Sequence, residues 1–221
     1  MSTTVLGPRS ARKGIQSKTV LWTIFALLTA FVALTRDRTL LDPNSFLRQR
    51  YSQVPVLMFL HGIPGVVALL LGFFQFSTKL RQRYTKAHRV LGRVYVGSML
   101  ISAPVAVIVA YRLPVPTLFT ASIVQAGGWI VCTLIAIYCI RNGNVQAHRE
   151  WMMRGYPFAM IFVINRTVLM IPAVAKLGVM GISTTVWTTV ALAGFVPSVV
   201  IALQQLARTQ KSAKLRAAAA D

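Results

Sequence analysis

Acidic side chains are almost missing from this sequence: 4 Asp and Glu stand against 24 Lys and Arg, and no Asp or Glu falls inside any of its apolar runs. That scarcity removes the paired carboxylates of general acid–base chemistry and the usual carboxylate relay of proton-coupled carriers. Histidine is also scarce, at 3, and cysteine scarcer, at 2. Cys132 and Cys139 are seven positions apart in one apolar run, about 10 Å along a helix, too far for a disulfide. They read as packing residues. There is no HExxH and no glycine-rich phosphate loop. A soluble hydrolase or nucleotide enzyme is therefore not expected.

What the chain does have is apolar length. Hydrophobic residues make up 55% of the 221 positions and charged residues 13%, where a soluble domain carries about a quarter charged. Crossing about 30 Å of hydrocarbon takes roughly 20 helical residues, and runs of that length recur. They lie at Thr19–Thr35, about Val54–Phe76, Val90–Tyr111, Leu118–Ile140, about Gly155–Ala175 and about Thr184–Ala207. The expectation is an all-α polytopic membrane bundle of six transmembrane helices spanning 18–207. A flexible basic tail at 1–17 precedes it and a basic alanine-rich tail at 208–221 follows. A signal peptide competes for the first run, but its basic leader is long and a small-x-small cleavage site is lacking, which favours an uncleaved helix.

Basic residues set the orientation. One side of the six spans collects 17 Lys and Arg (four before the first span, six at 79–93, three at 141–154 and four after the last), and the other side collects 6. The positive-inside rule then places both termini in the cytoplasm, in a cell membrane, with the bacterial inner membrane as the expected site. Nucleic acid is not an expected partner, because the cations lie between apolar spans. The bilayer and its anionic headgroups are expected partners, with a homo-oligomer or a membrane partner subunit also open.

Two helix starts echo each other: Ala87-His88-Arg89-Val90-Leu91-Gly92-Arg93-Val94-Tyr95 and Ala147-His148-Arg149-Glu150-Trp151-Met152-Met153-Arg154-Gly155-Tyr156. The pair implies that the second to fifth spans are an internal duplication, with Ala121 standing where His61 would repeat. Helical spacing puts His61, Gly65, Ala68, Gly72 and Gln75 on one face, as it does His88, Gly92, Tyr95, Met99, Ser102 and Ala106. A third such face carries His148, Met152, Gly155, Ala159, Phe162 and Arg166. Small residues on such faces serve helix contact in lipid.

Two candidate sites follow. At the cytoplasmic end, His88 and His148 at one depth, with Arg89, Arg149 and Arg154 nearby for propionates, could hold a b-type haem or a quinone. Towards the outer side, His61, Gln125, Asn165 and Arg166 fall at similar depths, roughly 10–14 Å below the surface. With no Asp or Glu in any span, an arginine there invites a small anionic or lipidic ligand. A zinc triad is excluded, since His61 lies near the face opposite the other two histidines.

The motif set His61-Gly62-x-x-Gly65-x-x-x-Leu69-x-x-Gly72-x-x-Gln75-Phe76, His88-Arg89-x-x-Gly92-Arg93-x-Tyr95 and His148-Arg149-x-Trp151-Met152-x-Arg154 resembles a widespread family of bacterial multi-spanning membrane proteins. That family is characterised only as a predicted membrane domain of unknown function, and the likeness covers about residues 55–175. Its architecture is similar to the transmembrane di-haem cytochromes b and ferric reductases, whose four core helices hold haems between histidine pairs. With three histidines, the resemblance implies at most one bis-histidine haem, held by His88 and His148. Three functions stay open: a membrane redox protein, a transporter or binding protein for an anionic or lipidic ligand, and a structural or assembly subunit of a membrane complex.

Overall fold

The computed structural model describes residues 17–35, 42–113, 115 and 117–219. The expected tail at 1–17 lies outside this range except for its last residue. Helices α1 (Ser17–Thr35), α3 (Pro55–Gln75), α5 (Thr85–Arg112), α6 (Leu118–Arg141), α7 (Val145–Val168) and α9 (Gly178–Ala217) follow the six apolar runs in order. Short helices α2 (Phe46–Tyr51), α4 (Thr78–Arg83) and α8 (Pro172–Ala175) lie between them. No strand occurs among the described residues. Four helices, α3, α5, α6 and α9, are long and apolar enough to cross a bilayer by length and composition.

α3 packs on α5, α5 on α6, α6 on α7 and α7 back on α3, which makes a four-helix ring with α5 and α7 on the diagonal. α9 covers α7 and α6, and α1 lies on α7. The centre is filled by Ala68, Leu69, Tyr95, Met99, Trp129, Tyr156 and Phe158, all buried. Large apolar side chains such as Phe59, Leu70, Val131, Tyr138 and Phe195 point outward instead. That inversion suits a lipid solvent, which needs no polar exterior. Prolines inside four of the helices, Pro64, Pro104, Pro157 and Pro197, fit the same solvent, where neighbouring helices re-satisfy the freed backbone groups.

Several boundaries differ from the expected ones. α5 and α7 start before their apolar runs, because charge bars a residue from hydrocarbon but not from a helix. Asn144 Oδ1 caps α7 by accepting from Ala147 N at 3.0 Å, so His148 sits in its first turn. At its other end α7 stops at Val168, seven residues before the expected close. Pro172 lacks an N–H and disfavours helical backbone in the preceding Ile171, so the chain turns at 169–171 and restarts as the four-residue α8. Finally, α9 is 40 residues long, and 208–217 of the expected tail continue it as helix.

The predicted faces are largely the packed ones. On α3, Ala68, Gly72 and Gln75 are buried. On α5, Tyr95, Met99 and Ser102 are 1%, 0% and 1% exposed. On α7 the stripe holds through Gly155 and Ala159, then fails at Phe162, which is exposed. α7 has neighbours on several sides, so its buried residues also include Tyr156, Phe158, Ile161 and Val163.

Candidate functional site at the basic end of the bundle

At one end of the bundle the chain leaves α3, turns through α4 and enters α5, and it also passes from α6 into α7. The first turns of α5 and α7 therefore lie together, with α4 beside them. Ser77 Oγ caps α4 by accepting from Leu80 N at 3.3 Å. Asn144 caps α7 in the same manner. His88 comes within electrostatic range of His148, Arg81 and Arg89, and Arg81 within range of Arg149. Five cationic or potentially cationic side chains thus converge from three helices.

Among the described residues no carboxylate pairs with them. Glu150 is the one acidic residue near this end among the described residues, and both of its oxygens are occupied. Oε1 accepts from Gln146 Nε2 at 2.6 Å and Oε2 from Gln205 Nε2 at 3.0 Å, tying α7 to α9. Arg154 turns onto the Trp151 ring, 5.0 Å from its centroid. Arg81 bears the consequence. One terminal nitrogen reaches Thr78 Oγ1 at 3.5 Å, but its Nε is buried with no hydrogen-bond partner. Burial first, and the Arg149 charge second, push the Arg81 guanidinium below its usual range.

The two histidines are oriented differently. His148 Nδ1–H donates to the Ala136 carbonyl at 2.9 Å, which leaves Nε2 as the free nitrogen. His88 meets Gln75, whose amide satisfies both of its ends in one orientation. In it Nε2 donates to His88 Nδ1 at 2.7 Å and to His88 O at 3.3 Å, and Oε1 accepts from Gly92 N at 3.2 Å. Neutral His88 then carries its hydrogen on Nε2. A bis-histidine haem needs a ligating lone pair on both rings and room between them. His148 meets the first condition and His88 does not. Two turns further in on each helix, Tyr95 and Tyr156 fill the space between the diagonal helices, 1% and 2% exposed. The donor set does not fit the expected haem.

The outer set is not gathered into one place. His61 Nδ1–H donates to Ser102 O at 3.1 Å and Ser102 Oγ–H to His61 O at 2.8 Å, joining α3 to α5. Gln125 Nε2 donates to Phe158 O at 3.0 Å, joining α6 to α7. Asn165 Oδ1 accepts from Thr189 Oγ1 at 2.7 Å, joining α7 to α9. Each is an interhelical tie, worth on average about 0.6 kcal/mol in a membrane bundle. Arg166 is near the end of its helix. It lies two residues before the end of α7, about 3 Å along the axis, over the Phe162 ring at 4.7 Å.

Sequence reasoning missed Arg81, which sits on a six-residue helix with no apolar period to mark it. The one available signal was the run of alternating cations at 79–83 after a Ser-Thr start.

The model of a family described as "Predicted membrane protein (DUF2306)" matches residues 58–205. This chain belongs to that family. The match takes in α3 to most of α9, and so holds both helix starts and the whole four-helix ring. A search of curated proteins and a search of solved structures each returned no match.

Proposed function

We propose that this membrane protein binds a small anionic group at the basic end of its four-helix ring, between α4 and the first turns of α5 and α7. The observation that carries the reading is the buried Arg81 Nε without a partner, inside a carboxylate-free group of Arg81, His88, His148 and Arg149. A buried donor left without an acceptor costs stability, and an anion accepting from Arg81 Nε supplies the missing bond and offsets the mutual repulsion. Arg89 and Arg154 lie on the same two helix starts and widen the positive field. The N-termini of α5 and α7 add their dipoles with the same sign.

The reading goes with six spans and with both termini on the cytoplasmic face of a bacterial cell membrane. The 17-to-6 division of cations between the two sides supports it. The basic end is then cytoplasmic, and the site takes an anion from that side or from the inner leaflet. His61, Gln125 and Asn165 belong to the scaffold rather than to the site. Isothermal titration of inorganic phosphate into the full chain in a neutral detergent tests this. Binding that weakens at least tenfold in Arg149→Gln and stays unchanged in Arg166→Gln supports the reading. Phosphate that does not bind, or binds both variants alike, removes it.

A further inference from the structure

Next to this site lies a groove of about 310 Å³ lined by Phe74 at the end of α3, Ser77 at the α4 cap, Lys79 and Leu80 on α4, Tyr84 at the α4–α5 junction and Leu91 on α5. Its walls are apolar apart from Ser77 and the Lys79 ammonium. Phe74 and Tyr84 are each about half exposed, so the groove opens sideways, on the face that meets lipid. Its volume matches roughly ten methylene groups if each takes about as much room as a water, some 30 Å³. The helix that carries Lys79 and Leu80 also carries Arg81, so one short segment joins the apolar wall to the cation whose Nε lacks a partner.

We propose that the groove holds one acyl chain of an anionic phospholipid whose headgroup phosphate lies at Lys79, on the helix that also carries Arg81. This rests on the anion site described above and names its ligand class. Charge complementarity selects the occupant. A zwitterionic lipid brings its own cation to a place that already has Lys79, Arg81, Arg83 and Arg149, with no carboxylate to receive it. An anionic lipid brings only the phosphate charge that Arg81 lacks. Tyr84 sits at the level where an amphipathic ring is favoured, between headgroup and chain. Its ring already meets the Arg83 guanidinium, 5.9 Å from the centroid.

Native mass spectrometry of the full chain carried from detergent with dioleoylphosphatidylglycerol or dioleoylphosphatidylcholine provides the test. The wild type is expected to keep one phosphatidylglycerol and to prefer it over phosphatidylcholine by at least tenfold. Leu91→Trp fills the groove and leaves every cation in place. It is expected to lose that preference by tenfold or more while still binding inorganic phosphate like the wild type. If Leu91→Trp does not fold, Phe74→Glu, on the half-exposed wall, carries the same expectation. Phosphatidylglycerol held equally well by the groove variants, or phosphatidylcholine held equally well by the wild type, overturns the groove assignment. Phosphate that binds neither the wild type nor the variants overturns the anion site itself, whatever the lipid result.

Discussion

The hairpins α3–α5 and α6–α7 carry the same plan with different chemistry. Positions 60 or 61 apart correspond: Leu69 with Trp129, Gln75 with Ala136, His88 with His148 and Tyr95 with Tyr156. Their contacts cross between the halves in a matched way. Trp129 Nε1–H donates to Tyr95 Oη at 2.8 Å, and Tyr156 Oη–H donates to Leu69 O at 2.7 Å. The same two positions therefore join α5 to α6 and α7 to α3. At the helix starts the match breaks. His88 meets the side chain of Gln75, whereas His148 reaches the backbone carbonyl of Ala136, whose methyl has no group to intervene. The His61–Ser102 tie has no counterpart at Ala121. Matched contacts and unequal polar groups separate what holds the bundle from what distinguishes its two sides.

That comparison can be broken first at Gly72. A Cβ there would lie within 2.6 Å of two Tyr156 ring carbons, and the ring is anchored by its hydroxyl. Gly72→Ala is expected to destabilise the protein by about 3 kcal/mol, the upper end for overpacking, read as thermal unfolding in detergent. The corresponding place in the other hairpin, Thr133, already holds a side chain. A G72A protein as stable as the wild type would contradict the close α3–α7 approach.

The tyrosines sharpen the comparison. Tyr95→Phe strands the buried Trp129 N–H and is expected to lower stability by about 2 kcal/mol. Tyr156→Phe removes a donor from a carbonyl that keeps its place in the α3 ladder, with an expected loss of about 1 kcal/mol. Equal losses in the two variants would mean that the hairpins are energetically interchangeable. The smallest effect belongs to the unrepeated tie. Ser102→Ala deletes one interhelical bond and leaves His61 Nδ1–H on Ser102 O, an expected loss of about 0.6 kcal/mol. A loss of several kcal/mol would make His61 more than a tie.

Much of the frame was legible in the residues. The apolar runs gave every long helix, and 3.6-residue spacing gave the inward faces of α3 and α5, because lipid-facing and core-facing positions differ in side-chain size. The repeated Ala-His-Arg starts gave the pair His88 and His148. Depth along a span was less legible. The apolar run that holds Arg166 continues through Pro172, while the helix itself stops at Val168. Equal depth also says nothing about partners, so His61, Gln125 and Asn165 looked like one site and are three separate ties. The haem expectation rested on histidine spacing. Spacing could not show that Gln75 turns the His88 lone pair away, nor that Tyr95 and Tyr156 occupy the centre.

Arg81 carries the central claim, and one pair of melting curves tests it most directly. Thermal unfolding of the wild type and of Arg81→Gln is measured in neutral detergent with and without inorganic phosphate. Without phosphate, Arg81→Gln is expected to be at least as stable as the wild type, because the substitution removes a partly buried cation whose Nε lacks a partner and which Arg149 repels. With phosphate, the wild type is expected to gain stability and the variant to gain little. A variant that is less stable without phosphate, yet gains as much from it as the wild type, would contradict the account.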